Sequence, residues 1–172
     1  RIEDLIRKTE TGQLEDLASA LHVEVSALRR LRCFWDPQAP LSRGRTYPAW
    51  CFPMCRADGA IIGIRTRKAK ARPGETNKLS YPGSRTGLFM PLELAPKPAL
   101  YITEGESDLA ALLTLGLEGV GRPCCSGGIP IILDLVRRVR PLRVIVVADN
   151  DQGGRQGARR LVLALHPYVK EV

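Results

Sequence analysis

The sequence predicts an α/β fold: a compact, Rossmann-like parallel sheet over residues 99–172, preceded by a small basic β-rich segment and a helical N-terminal segment. Three observations lead there. From Ala99 onward, apolar strand-like runs alternate with helical segments, the pattern of a parallel sheet covered on both faces. Carboxylates follow two of those runs directly, at Glu104 and at Asp149 and Asp151. The net charge of +8 is concentrated ahead of them: residues 1–41 hold 6 Lys/Arg against 7 Asp/Glu, residues 42–97 hold 11 against 3, and residues 98–172 hold 9 against 8. Positive charge gathered in one segment is the footprint of a polyanion binder.

The N-terminal 1–41 segment reads as helices. Leu14, Leu17, Ala18 and Leu21 share one face at helical spacing. Ser26 can cap a second helix through Ala27, Leu28 and Leu31, leaving Arg29, Arg30 and Arg32 exposed. The run LEDLASALHVEVSALRRL is weakly like a helix-turn-helix, with His22 where a turn glycine is usual, and a small helical packing unit is the better reading.

The 42–98 segment is expected to be β-rich. Residues 33–50 look like a connector. Trp50–Cys55 is an apolar strand, Ala57-Asp58-Gly59-Ala60 a hairpin turn, and Ile61–Arg67 a second strand. In that strand Arg65 and Arg67 share a face, about 7 Å apart by the rise per residue. Lys70 and Arg72 continue the charge through a loop, Lys78 opens a third strand, and Arg85 lies in the polar turn before Leu88-Phe89. Several cations on one face repel unless a polyanion meets them. Residues 91–98 read as a linker.

Residues 99–172 supply the alternation. Strands are expected at Ala99–Thr103, Gly119–Arg122, Arg143–Ala148 and Tyr168–Val172, and helices at Ser107–Leu115, Ile129–Val139 and Gly153–Leu165.

Composition removes several classes. No run of 18 apolar residues is present, so no membrane span or membrane partner is expected. A secretory signal is missing from the N-terminus, which points to the cytoplasm. The chain opens on Arg1 rather than Met and is expected to be a piece of a longer protein. The five cysteines, Cys33, Cys51, Cys55, Cys124 and Cys125, are irregularly spaced and set against only two histidines. They read as ordinary thiols rather than a disulfide framework or a four-ligand zinc site.

In open α/β sheets the chemistry sits beyond the carboxyl ends of the strands. Glu104, Asp149 and Asp151 all fall at that edge, and Asp108, four residues past Glu104, can face the same cleft. Carboxylates converging there repel unless a divalent cation lies between them, and oxygen-only ligands suit Mg²⁺ or Mn²⁺. Gly105 lets the chain turn behind Glu104, Gly153 and Gly154 free it after the acidic pair, and Gly157 allows close helix–sheet packing. Helix N-terminal N–H groups there can hold phosphate. The competing reading is that Asp149 and Asp151 cap the next helix.

The pattern of apolar strand–E-G-x-x-D, apolar strand–D-x-D and G-x-x-G-A over residues 99–165 resembles the Toprim domain, shared by primases, type IA and II topoisomerases, recombination mediators and some nucleases. Asp58-Gly59-Ala60-Ile61, Arg65, Arg67, Lys78, Gly83-Ser84 and Leu88-Phe89 are similar in order to the basic subdomain before Toprim in phage primase-helicases and bacterial primases. Arg65 stands where Lys is usual, and the loop before Lys78 is longer. The resemblance implies a Mg²⁺-dependent DNA primase core making RNA primers on single-stranded DNA from NTPs, acting at the nucleoid during replication, with a replicative helicase as a possible partner. It implies Glu104, Asp149 and Asp151 as catalytic and metal-binding residues with Asp108 in support, and Arg65, Arg67, Lys78 and Arg85 as nucleotide- or DNA-binding residues. A further acidic position of some primases would fall past Val172. The alternatives are another Toprim enzyme, nuclease- or topoisomerase-like, and a non-catalytic DNA-binding replication module of a phage, plasmid or mobile element.

Overall fold

A computed structural model of the protein describes residues 1–69, 77–95 and 99–172. Lys70 and Arg72 lie outside the described residues.

Three helices open the chain: α1 (Ile2–Lys8), α2 (Thr11–Leu21) and α3 (Val25–Arg30). Between α2 and α3 the backbone turns through His22 in the left-handed region, at φ 55°, a role glycine fills more readily. The α3 helix starts after Glu24 rather than Ser26 and has no side-chain cap. The Glu24 N–H is instead close to the Toprim-like half, donating to Thr114 Oγ1 at 2.9 Å. The arginines of this segment are not all free in solvent as expected. Arg30 forms an ion pair with Glu118 at 2.9 Å, and Arg32 donates to Cys55 Sγ; of Arg29, Arg30 and Arg32, Arg29 alone is exposed. Helices α2 and α3 bury Leu14, Leu17, Ala18, Ala27 and Leu28 in the core.

The supposed connector contains strand. β1 (Phe34–Pro40) pairs antiparallel with β2 (Thr46–Cys55), which pairs with β3 (Ile61–Lys68), and β3 pairs with β4 (Lys78–Ser80). The sheet order is β1-β2-β3-β4. Pro37 and Pro40 are tolerated because β1 is an edge strand, where a missing N–H breaks no ladder. The helical segment therefore ends before Phe34.

The second half is a three-stranded parallel sheet of order β6-β5-β7, built from β5 (Ala99–Glu104), β6 (Gly119–Arg122) and β7 (Arg143–Val146). Its helices are α4 (Glu106–Thr114), α5 (Ile129–Val139) and α6 (Gln152–Leu165). The expected last strand is present only as one parallel bridge between Arg143 and Glu171. Leu100, Ile102, Val120 and Val144 form a core with Ile132, Leu135, Leu161 and Leu165 of α5 and α6. On the other side, Leu109, Ala110, Leu112 and Leu113 of α4 join Leu14, Leu17 and Leu28 of the N-terminal helices and Trp50, Phe52 and Met54 of β2. Helix α4 thus belongs to both halves.

The two sheets are sewn together by two residues. Leu88 exchanges hydrogen bonds of 2.7 and 2.9 Å with Cys55 at the end of β2, and Phe89 exchanges two of 2.9 Å with Gly121 in β6. Among the described residues no helix is long and apolar enough to cross a membrane.

Leu109 is fully buried where α2, α3, α4 and β2 meet. Leu109→Ala is expected to cost about 3 kcal/mol of stability, measured by denaturant unfolding, because truncation removes buried apolar surface and leaves a cavity.

Candidate functional site

Parallel β5 and β7 end side by side, and this sets the acidic edge. Glu104 is the last residue of β5, and Asp149 follows β7 by three residues. The Asp149 backbone N–H donates to the Glu104 carboxylate. Gly105, at φ +96°, makes the sharp turn into α4, a conformation that L side chains rarely adopt. That turn places Asp108 on the second face of the same cleft. Glu104, Asp108 and Asp149 line a cavity of about 420 Å³ with Thr103, Val147 and Ala148.

The electrostatics of the edge are those of crowded carboxylates. Burial, then the neighbouring Asp149, raises the Glu104 carboxyl above its ordinary range, partly offset by the Arg122 guanidinium. Asp108 has its outer surface open to solvent. The desolvation of its inner side, followed by Asp149, nevertheless raises its carboxyl too. Among the described residues Glu104 Oε1 is buried without a hydrogen-bond partner, an orphaned acceptor of the kind a cation satisfies.

Asp151 is differently employed. It is the N-cap of α6, its Oδ1 accepting from the Gly154 N–H at 2.7 Å. Only one of the Asp pair therefore caps the helix, and the other faces the cleft. Among the described residues no three Asp, Glu, His or Cys groups are gathered closely enough to hold a metal ion as they stand. The donor set nonetheless fits a hard cation: all oxygen, mutually repelling, with one buried acceptor unpaired.

The glycines divide. A Cβ on Gly154 would strike the Asp149 backbone, and one on Gly157 would strike the Cys125 carbonyl. Gly157 thus lets α6 approach the loop after β6, not the sheet as expected. Gly153 and Gly154 lie in the first turn of α6, within the helix expected from Gly153, and Gly153 has room for a side chain.

The cations of the basic sheet arrive at this edge through a residue that the motif reading passed over. Glu106, in the first turn of α4, is only 2% exposed. Lys78 Nζ lies 2.8 Å from its Oε1 and Arg67 Nη1 lies 3.7 Å away. Lys78 Nζ is also 3.7 Å from where a Cβ on Gly105 would stand, so it sits over the turn between Glu104 and Glu106. Arg65, on the same face as Arg67, donates to the Pro123 carbonyl at 3.4 Å. Arg85 is exposed and makes no ion pair among the described residues. A second missed residue is Arg122, at the end of β6 and 1% exposed. It donates to the carbonyls of Gly127 and Cys125 and stands beside Glu104 in register. A lone Arg after a short strand carries no sequence signal of its own. The signal for Glu106 was its place inside TEGESD.

No protein-family model matches the sequence, and no curated protein does. Solved structures do match. Over 99% of its length the chain superposes on the E. coli primase catalytic core at 17% identity with a TM-score of 0.70, covering 69% of that chain. The fold is that of a primase catalytic core. A DnaG primase catalytic domain bound to single-stranded DNA matches over 96% of the chain at 18% identity, with a TM-score of 0.69 and 65% of that structure covered. The primase fragment of the bacteriophage T7 primase-helicase matches over 90% at 14% identity, with a TM-score of 0.64 and 62% covered. The chain spans about two thirds of the length of these primase chains. The antiparallel and parallel sheets together have the fold of that primase core.

Two outcomes follow from the site. Because the Glu104 carboxyl is raised in the folded chain, the fold keeps its proton to higher pH than the unfolded chain does. Stability of the metal-free protein therefore falls as pH rises from the ordinary value of 4.5 through the raised one. Glu104→Gln removes this loss, so its stability relative to the parent should increase across that window and level off above it, in urea titrations with a chelator. Glu106→Gln leaves Lys78 and Arg67 facing a neutral amide, and should lower stability by about 2 kcal/mol at neutral pH in the same measurement.

Proposed function

We propose that this chain is the RNA-polymerizing core of a DNA primase, joining NTPs into a short primer on single-stranded DNA. The observation that carries the reading is Lys78: a cation of the basic sheet held over the Glu104–Glu106 turn, 2.8 Å from Glu106. Phosphoryl transfer needs positive groups on the triphosphate and acidic groups for the metal within reach of one another, and this contact joins the two.

Asp149 and Asp151, with Glu104 and Asp108 in support, would hold Mg²⁺ or Mn²⁺, which when bound neutralises triphosphate charge and activates the attacking 3′-hydroxyl. The chain's own residues do the rest. Lys78 and Arg67 exchange part of their pairing with Glu106 for the triphosphate oxygens, and Glu106 keeps both aimed at the edge. Glu104, with its raised carboxyl, can take or return the proton of the 3′-hydroxyl. Arg122 beneath it limits that rise. Arg65, and Arg85 from the exposed turn, extend the positive path for the template backbone. The T7 fragment comes from a primase-helicase protein, and a replicative helicase is the proposed partner here.

A non-catalytic DNA-binding module is the second reading, supported by Asp151 being spent on a helix cap. Primer synthesis on single-stranded DNA with NTPs and Mg²⁺, using the full-length protein, separates the two. The catalytic reading expects Asp149→Asn with Asp151→Asn to lower synthesis by at least about 100-fold, because a bound metal ion stabilises transition-state charge by several kcal/mol, with DNA binding retained. Undiminished synthesis would overturn it. Arg65→Ala/Arg67→Ala/Lys78→Ala should weaken DNA binding and flatten its salt dependence, read by fluorescence anisotropy across a salt series.

A further inference from the structure

The five cysteines divide by setting. Cys33, Cys51 and Cys55 are buried, and burial pushes their thiols up, that of Cys51 to about 12. Cys124 is exposed and Cys125 half-buried, side by side in the turn between β6 and α5. The Gly127 N–H closes that turn onto the Cys124 carbonyl at 3.2 Å. Cys124 Sγ lies 3.8 Å from Ser126 Oγ and accepts from the Ser126 and Gly127 N–H groups. Partial burial raises this thiol, but those donors and the Arg122 guanidinium outweigh it and hold the thiol below its ordinary value.

Arg122 marks the same turn independently of the sulfur. It is 1% exposed. Its Nε and Nη2 donate to the Gly127 and Cys125 carbonyls, which aims the guanidinium into the turn. Among the described residues its Nη1 is buried with no hydrogen-bond partner. A buried donor left unpaired is costly unless an acceptor reaches it, and for a cation the fitting acceptor is an anion. An accessible sulfur beside cationic and N–H donors is the setting of a reactive cysteine, whereas the three buried thiols have the setting of inert ones.

We propose that Cys124 is a thiol–disulfide exchange site for small, carboxylate-bearing disulfides of the glutathione type, and that the adduct formed there disables the acidic edge. The Cys124 thiolate attacks one sulfur of the incoming disulfide. That S–S bond breaks, a bond between Cys124 Sγ and the glutathione sulfur forms, and the second sulfur leaves as a thiolate that takes up the proton Cys124 gave to solvent. The Cys124 sulfur is oxidised and the departing sulfur reduced, so no further oxidant is needed. Cys125 does not displace the adduct. Consecutive Cα atoms stand about 3.8 Å apart across a trans peptide, closer than the roughly 4.4 Å that an unstrained disulfide needs. Its Sγ is turned instead to the first turn of α6, 3.8 Å from where a Cβ on Gly153 would stand.

The turn reaches the acidic edge by two routes. Arg122 stands beside Glu104 in register. The Cys125 carbonyl is the group against which Gly157 packs, on the helix that Asp151 caps. An adduct that shifts the turn therefore shifts both sides of the edge. This control of activity rests on the primase-core reading; the exchange site does not.

Full-length protein is treated with oxidised glutathione, adducts are mapped by peptide mass spectrometry, and primer synthesis is followed in parallel. Cys124 is expected to gain a glutathionyl group at least about tenfold faster than Cys33, Cys51 or Cys55, as thiolate character and access dictate. Synthesis should fall about tenfold in step with the adduct, since misplaced catalytic groups are costly, and dithiothreitol should restore it. Cys124→Ser should keep its synthesis under the same treatment. Cystamine, a disulfide carrying amines instead of carboxylates, should react more slowly. No adduct at Cys124, or equal modification of the buried thiols, would overturn the exchange site. Equal rates for the two disulfides would remove the part given to Arg122. Synthesis unchanged in fully modified protein, or lost equally in Cys124→Ser, would overturn the control and leave the exchange site standing. A protein that makes no primer before treatment would overturn the primase reading and the control with it, while the adduct map still decides the exchange site.

Discussion

The geometry of this molecule depends on four backbone hydrogen bonds at Leu88 and Phe89. One residue extends the antiparallel sheet and the next extends the parallel one. Adjacent residues in a strand point to opposite faces, so the pair is buried on both sides, Leu88 in the core under α5 and α6 and Phe89 in the core against α2 and α3. A backbone link of this kind leaves little freedom of rotation, unlike a flexible linker with the same number of residues. It fixes Lys78 and Arg67 over the turn after β5, where they meet Glu106. Without it, the +8 segment and the acidic edge would be two separate charged surfaces.

The electrostatics follow from that placement. Glu106 is buried and retained because two cations offset its charge. Glu104 is buried on one side with Arg122 as its partner and Asp149 as its rival. One carboxylate is ion-paired to the basic sheet, and the other makes no ion pair among the described residues. The burial of Arg122, whose guanidinium is spread over two loop carbonyls, also fixes the loop against which α6 packs through Gly157.

Much of the parallel half was legible in the sequence. Gly119–Arg122 and Ile129–Val139 agree with the structure in both bounds, because short glycine-bounded apolar runs and a strongly amphipathic helix leave little choice of period. The position of Glu104, Asp149 and Asp108 at one edge was legible for the same reason, since strand ends in a parallel sheet have only one place to go. β1 was not legible. FWDPQAP has two prolines and reads as a connector, and only its position at the sheet edge makes it a strand. Nor was Glu106 legible as a buried residue. A glutamate in a first helical turn ordinarily faces water and complements the helix dipole. What buries this one is a pair of side chains from strands far earlier in the chain. The Asp151 cap was foreseen as a competing role, and local geometry decided it: a Gly154 N–H lay three residues on.

The sharing of α4 between the halves bears on how the chain matures. Leu14, Leu17 and Leu28 find their core partners at Leu109, Leu112 and Leu113. During synthesis the N-terminal helices emerge long before the segment that covers them, and helices this short gain most of their stability from packing. Their apolar faces therefore wait, exposed, until the chain has been extended through α4. This is the interval in which nascent hydrophobic surface is open to chaperones or to misassociation. These helices are made well before α4 and gain their packing partners only with it.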